Sequence, residues 1–172
     1  MQRAKPEGTA AVSGSRRRQA GWIAHRTAVA GNVFAMRRLV TGVDAVGRSC
    51  VVEETEFSIP IRAELIYRTT ASPPPVRPPG RGAILDLDVP PGFVRWTFVH
   101  FEPGQRADMH HTDTIDLDTI IFGSIDLVLD DGPHHLEAGD CVVVTGIDHE
   151  WLAGPQGCSW SVVMIGSPPQ GE

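Results

Sequence analysis

The stretch that decides the reading is Met109-His-His-Thr-Asp-Thr-Ile-Asp-Leu-Asp-Thr-Ile-Ile-Phe-Gly123, answered downstream by Gly139-Asp-Cys-Val-Val-Val-Thr-Gly-Ile-Asp-His-Glu-Trp151. The first segment is rich in β-branched residues and carries two adjacent histidines and several carboxylates. The second places one more histidine, His149, just after the glycine turn at Gly146. Imidazoles and a carboxylate brought from separate strands form a first shell suited to a divalent metal. In a regular strand, alternate side chains share a face, so His110, Thr112, Thr114, Asp116 and Asp118 are expected on one side and His111 on the other. A bulge at the paired histidines would change that.

Outward from this stretch, the chain from Cys50 reads as β. Cys50–Glu54, Glu64–Thr69, Phe93–Phe101, Thr119–Phe122, Ile125–Leu129, Cys141–Val144 and Ser159–Ile165 are short runs of β-branched and aromatic residues. Proline and glycine turns separate them, which indicates a sandwich or barrel. Ser124 to Leu136 is the clearest local element, a hairpin turning at Asp131-Gly132. No segment holds a sustained helical period, and Ala35–Val43 is expected to form a helical turn at most.

Length and composition set the outer bounds. The 172 residues fit one domain with a tail, and 41% apolar residues suffice for a core. No apolar run is long enough for a membrane helix. Three scattered cysteines, with no CxxC, read as buried small residues of a reducing, cytoplasmic compartment. The net charge of −6 is uneven: residues 1–35 carry six Lys or Arg against one acid, and residues 36–172 carry nine Arg against twenty acids. An acidic body without a basic stripe argues against nucleic-acid binding.

Residues 1–35 are rich in Ala, Gly and Arg. They are expected to be a disordered basic tail, or sequence upstream of a start at Met36, with a targeting segment around Arg16-Arg17-Arg18 as the sharper alternative. Residues 36–91 follow as extension strands and a proline-rich connection. Its Pro73-Pro-Pro-Val-Arg-Pro-Pro79 run reads as a stiff spacer, with a polyproline ligand as the alternative. The barrel proper is expected over residues 92–168.

The spacing itself resembles the cupin superfamily. Gly104, five residues, His110, then Asp116, six residues and Gly123 follow the first cupin motif. Gly139, Gly146 and His149 resemble the second. The similarity covers about Gly92 to Ile165, and the HxTDTxD form is that of small bacterial cupins. It implies an all-β fold, a cupin-type double-stranded β-helix (jelly-roll barrel) with N-terminal extension strands. It also implies a metal held by His110, Asp116 and His149. This is a two-His-one-carboxylate set suited to Fe, Mn, Zn or Ni. The pattern departs from the family at Thr112, which replaces the second histidine, and at Asp116, which is shorter than the usual glutamate. Ala153 stands at the usual asparagine.

Around that centre, Trp151, Trp96 and Phe98 are expected to wall a cavity, with Thr112 supplying a hydroxyl and His100 a cavity acid or base. His111 is a substitute ligand if the backbone bulges, and otherwise structural. Asp113, Asp118 and Asp148 are candidates for orienting a histidine, their plainer reading being turn or surface acids. His134-His135, beyond the hairpin turn, is expected to face solvent. The implied function is a small-molecule cupin acting by metal-dependent oxygenase, decarboxylase or isomerase chemistry on a small organic acid or natural-product intermediate. The alternative is a metal-free or non-catalytic ligand-binding barrel. By analogy with the family, a homodimer is expected, its N-terminal strands extending a neighbouring protomer's sheet.

Overall fold

The computed structural model describes residues 34–59, 65–68 and 82–168, so the basic tail through Val33 and the Pro73–Pro79 run lie outside the described residues. Among the described residues nine strands follow in chain order: β1 (Phe34–Val43), β2 (Ser49–Ile59), β3 (Ala83–Ile84), β4 (Val94–Phe101), β5 (Arg106–His111), β6 (Thr114–Leu129), β7 (Gly132–Glu137), β8 (Cys141–Val144) and β9 (His149–Gly166). The described residues contain no helix.

Two long strands organise the fold. β6 and β9 run antiparallel to each other and both bend midway, so each serves two layers. In the first layer the order is β2-β1-β8-β6-β9-β4, using Thr114–Ile120 of β6 and the C-terminal half of β9. In the second it is β7-β6-β9-β5-β3, using Ser124–Leu129 of β6 and the N-terminal half of β9. The pairing register shifts between Ile120 and Phe122 and again between Gly123 and Ile125, and these irregularities mark the corner. Gly123 and Gly157 both take positive φ there, at 72° and 74°. A Cβ on Gly123 would collide with the Gly157 carbonyl, so the two strands cross as closely as they do only because this position has no side chain.

The core lies between the layers. Ile120, Trp160, Val162 and Met164 from the first meet Ile125, Leu127, Leu136 and Trp151 from the second, all of them buried. The Asp131-Gly132 hairpin forms as expected, with Ser124 opposite Glu137 and Leu129 opposite Gly132. Two expectations need correcting. Ala35–Val43 is a strand, not a helical turn, because β1 gains an antiparallel partner in β2 and a parallel one in β8. A segment without helical period takes the conformation its neighbours can hydrogen-bond. Residues 65–68 of the expected Glu64–Thr69 strand are irregular, while Glu64 and Thr69 lie outside the described residues.

Candidate active site

The chain breaks strand pairing at Thr112-Asp113, where β5 of the second layer passes into β6 of the first. That break separates the members of the opening stretch. His110, at the end of β5, is the cross-strand partner of His149, the first residue of β9. Their rings lie 4.3 Å apart between centroids, tilted by 55°. His149 is 2% exposed, and its ring stands edge-on to Trp151 at 5.8 Å. Trp151 in turn meets Trp160 of the opposite layer at 5.8 Å.

Both imidazoles are anchored in the same way. Nδ1–H of His149 donates to the Ile147 carbonyl at 2.8 Å, and Nδ1–H of His110 donates to the Asp108 carbonyl at 2.7 Å. A carbonyl can only accept, so each bond fixes the proton on Nδ1 and leaves the Nε2 lone pair free. Burial, then the neighbouring His110, pushes the His149 pKa down to about 3, which keeps it neutral. His111 points elsewhere: its Nδ1 lies 3.1 Å from Asp148 Oδ1, and both side chains are largely buried. Asp148 thus orients a histidine, His111.

Asp116 is inside the fold but on the first layer, where it pairs across to Met164. Its companion is Asp118, two residues along on the same inward face and equally buried. Burial raises the Asp116 pKa to about 6, against a hydrogen bond from Thr114. Burial and the Asp116 charge raise Asp118 well above the usual carboxylate range, against a hydrogen bond from the Trp160 side chain. Oδ1 of Asp116 and Oδ2 of Asp118 have no hydrogen-bond partner. Thr112 and Thr114 share a hydrogen bond at 2.8 Å on the way from the histidines to the aspartates. Asp118, read from sequence as a turn or surface acid, and Trp160, not singled out at all, are therefore part of the site. The shared strand parity of Asp116 and Asp118 was the available signal for the first; the second depends on the register of β9 against β6, which only the fold supplies.

The expected three-ligand metal shell is not assembled. Among the described residues no three His, Cys, Asp or Glu side chains are grouped to hold an ion. Two of the donors fit, since both Nε2 atoms are unengaged, but Asp116 stands with Asp118 across the core and Thr112 is bonded to Thr114. The expected wall residues Trp96 and Phe98 also lie elsewhere: they are 70% and 67% exposed on the outer surface. Their parity places them opposite Val163 and Ser161, which face away from the core that Trp160, Val162 and Met164 enter. His100 is on that outer face too, its Nδ1 2.8 Å from Ser159 Oγ. His134 and His135 are tied to Asp131 and Asp126 at 2.7 and 2.6 Å, with His135 exposed and His134 half-buried.

A cleft of about 280 Å³ opens between Ile84–Val89 and Thr112–Thr114, beside the segment that joins the two buried pairs. Its outer wall is held by the Leu85 amide, which donates to the His111 carbonyl at 2.8 Å. No described helix is long and apolar enough to cross a membrane.

No family model matches the chain. It is 33% identical to the phomopsin biosynthesis cluster protein D of Diaporthe leptostromiformis, over 131 residues covering 66% of this chain and 68% of that protein. It is 32% identical to the cluster protein C′ of the same organism, over 136 residues and with the same coverage. Among solved structures it is similar to a sugar phosphate isomerase from a cupin superfamily of Silicibacter pomeroyi, with TM-score 0.39 and 23% identity over 44% of this chain and 52% of that one. It is also similar to the polyketide cyclase RemF of Streptomyces resistomycificus, with TM-score 0.39 and 24% identity over 41% and 53%. An RmlC-like cupin of Shewanella frigidimarina matches with TM-score 0.38 and 19% identity over 41% and 64%. The chain spans about half the length of the first two of these structures.

Proposed function

This chain belongs to one family with the two phomopsin cluster proteins, and from that premise we propose that it is a cupin-type small-molecule enzyme of natural-product assembly. The names of those relatives support the substrate class. The observation that carries the reading is the His110–His149 pair, two neighbouring imidazoles with fixed tautomers and free Nε2 lone pairs inside a barrel.

Such a pair is equipped for proton transfer. His149 is neutral because burial opposes its charge, so it accepts a hydrogen bond from substrate and leaves the proton itself to His110. The two rings lie 4.3 Å apart between centroids, so one substrate can meet both. Trp151 covers one side of His149 and helps keep water from the abstracted proton. The cleft at Thr112–Thr114 is the approach, and its apolar lining of Ile84, Leu85 and Leu87 suits an organic molecule.

The test is proton exchange. Candidate intermediates incubated with protein in deuterated water should gain deuterium at the carbon next to a carbonyl, followed by NMR. His149→Ala and His110→Ala should each abolish the exchange. Exchange that persists in both variants would remove the pair from the chemistry.

A second reading keeps a divalent transition metal, because the same two free Nε2 atoms are a metal's donors. His110 and His149 would hold it, and the ion would supply Lewis acidity. Elemental analysis of untagged protein decides: near one equivalent per chain, lost in His149→Ala, replaces the metal-free reading.

A further inference from the structure

β5 and β9 pair irregularly beside the site. Ala107 stands opposite Trp151, and His110 stands opposite His149. Between those pairs Asp108 and Met109 face Glu150 alone, so β5 carries a β-bulge of one extra residue. The extra residue decides where His110 points. Ala107 packs against the core, and in an unbroken strand a residue three positions later faces the other way. Met109, not His110, would then oppose His149. The bulge reverses the alternation and brings the His110 ring in beside that of His149.

We infer that Arg106 and Glu150 hold this bulge and so set the position and tautomer of His110. Glu150, which the bulge straddles, is 8% exposed. Its Oε2 accepts a hydrogen bond from Arg106 Nη2 at 2.5 Å, and Arg106 Nε lies 3.4 Å from Asp108 Oδ1. One guanidinium thus ties together a residue ahead of the bulge, a residue within it and the residue across from it. The Asp108 side chain is almost fully exposed, so its contact with Arg106 is the weaker of the two. Glu150 is largely out of water, where a carboxylate requires a partner, and this holds Arg106 across to β9.

The backbone of the clamped Asp108 is what His110 binds. Its carbonyl accepts Nδ1–H of His110 at 2.7 Å, so the clamp reaches the ring through one further bond. A relaxed bulge moves that carbonyl away. A histidine ring released into water favours the Nε2–H form, which removes the lone pair that meets substrate. Arg106 itself touches no reacting atom and acts through Asp108. His149 is anchored separately, to the Ile147 carbonyl two residues before it. Loss of the clamp therefore reaches one ring and spares the other. The inference rests on the proposed role of His110 only for its consequence in turnover.

Nitrogen NMR of the two rings, in the full substrate-free chain labelled at histidine and held at alkaline pH, tests the inference. Wild type should carry the proton on Nδ1 of both. Arg106→Met should move the His110 proton toward Nε2 and leave His149 unchanged. Arg106→Lys, which returns a cation to Glu150, should recover the Nδ1 form at least in part. Should Arg106→Met not fold, Arg106→Met/Glu150→Gln leaves no buried charge unpaired and must give the same change. A His110 that keeps its Nδ1 proton in these variants overturns the inference. So does a wild-type His110 protonated on Nε2, a change that strikes His149 equally, or a lysine that recovers nothing. Where exchange on substrate is found, Arg106→Met should slow it about tenfold or more, and an equal rate breaks the link to turnover. The rings are read without substrate, so a failure of the proton-transfer reading leaves their result unchanged, and the failure of the clamp leaves that reading standing.

Discussion

The His110–His149 pair and the Asp116–Asp118 pair face one interior from opposite layers, and they solve burial differently. Each histidine donates its Nδ1–H to a backbone carbonyl, and burial keeps His149 neutral. The aspartates have fewer donors than lone pairs, and one oxygen of each is left without a partner. Buried ionisable groups become neutral when partners are lacking, which for histidine means losing a proton and for aspartate means gaining one. His149 therefore resists acid, and the aspartates resist base.

Breaking the histidine side should have the largest effect. His149→Ala removes a buried ring that touches His110 and Trp151, and is expected to cost about 2–4 kcal/mol in chemical denaturation along with all ligand binding. His110→Ala, at a partly exposed position, should lose binding equally but only about 1 kcal/mol of stability.

The pH dependence sharpens the comparison. His149, lowered to about 3, contributes stability that is full above pH 6.5 and is lost as pH falls toward 3. Asp116, raised to about 6, contributes stability that is full below pH 3.8 and is lost as pH rises through 6. Between those limits the two slopes have opposite signs and offset one another. Asp116→Asn removes one of them. Its stability should then rise from pH 4 to 6 by about 1.4 kcal/mol per unit more steeply than that of wild type, as read in urea titrations. Parallel curves for the two proteins would show that Asp116 is ionised in the folded state.

Smaller changes probe each side separately. Trp160→Phe withdraws the donor from Asp118 and should cost about 1–3 kcal/mol, with a further upward shift of the aspartate titration seen by NMR. His111→Ala removes the imidazole that meets Asp148 and should cost roughly 1 kcal/mol, leaving proton exchange on substrate intact.

Much of the fold was legible in the sequence because turns and alternation are local signals. Asp131-Gly132 announces its hairpin, and the glycines around the two motifs mark the corner at Gly123. The His110–His149 neighbourhood was likewise readable from motif spacing. The position of Asp116 was not, since strand parity runs unbroken through Thr112-Asp113 in the sequence while the strand itself does not. Trp96 and Phe98 alternate correctly, yet alternation gives two faces without saying which is inward. That depends on β9, whose Trp160, Val162 and Met164 occupy the interior first. β1 was missed because its strand conformation depends on β8, about a hundred residues later in the chain.

That parallel pairing of β1 with β8 has a consequence for how the molecule is made. Arg38 lies opposite Cys141, and the Thr41 hydroxyl donates to the Val143 carbonyl at 2.9 Å. A chain emerging from the ribosome completes its first hairpin early, yet that hairpin can dock only after β8 has been synthesised. Contacts of such sequence separation slow folding and leave apolar strands uncovered meanwhile. Leu39 and Val40, buried in the finished fold, thus stay uncovered on the nascent chain until β8 has followed.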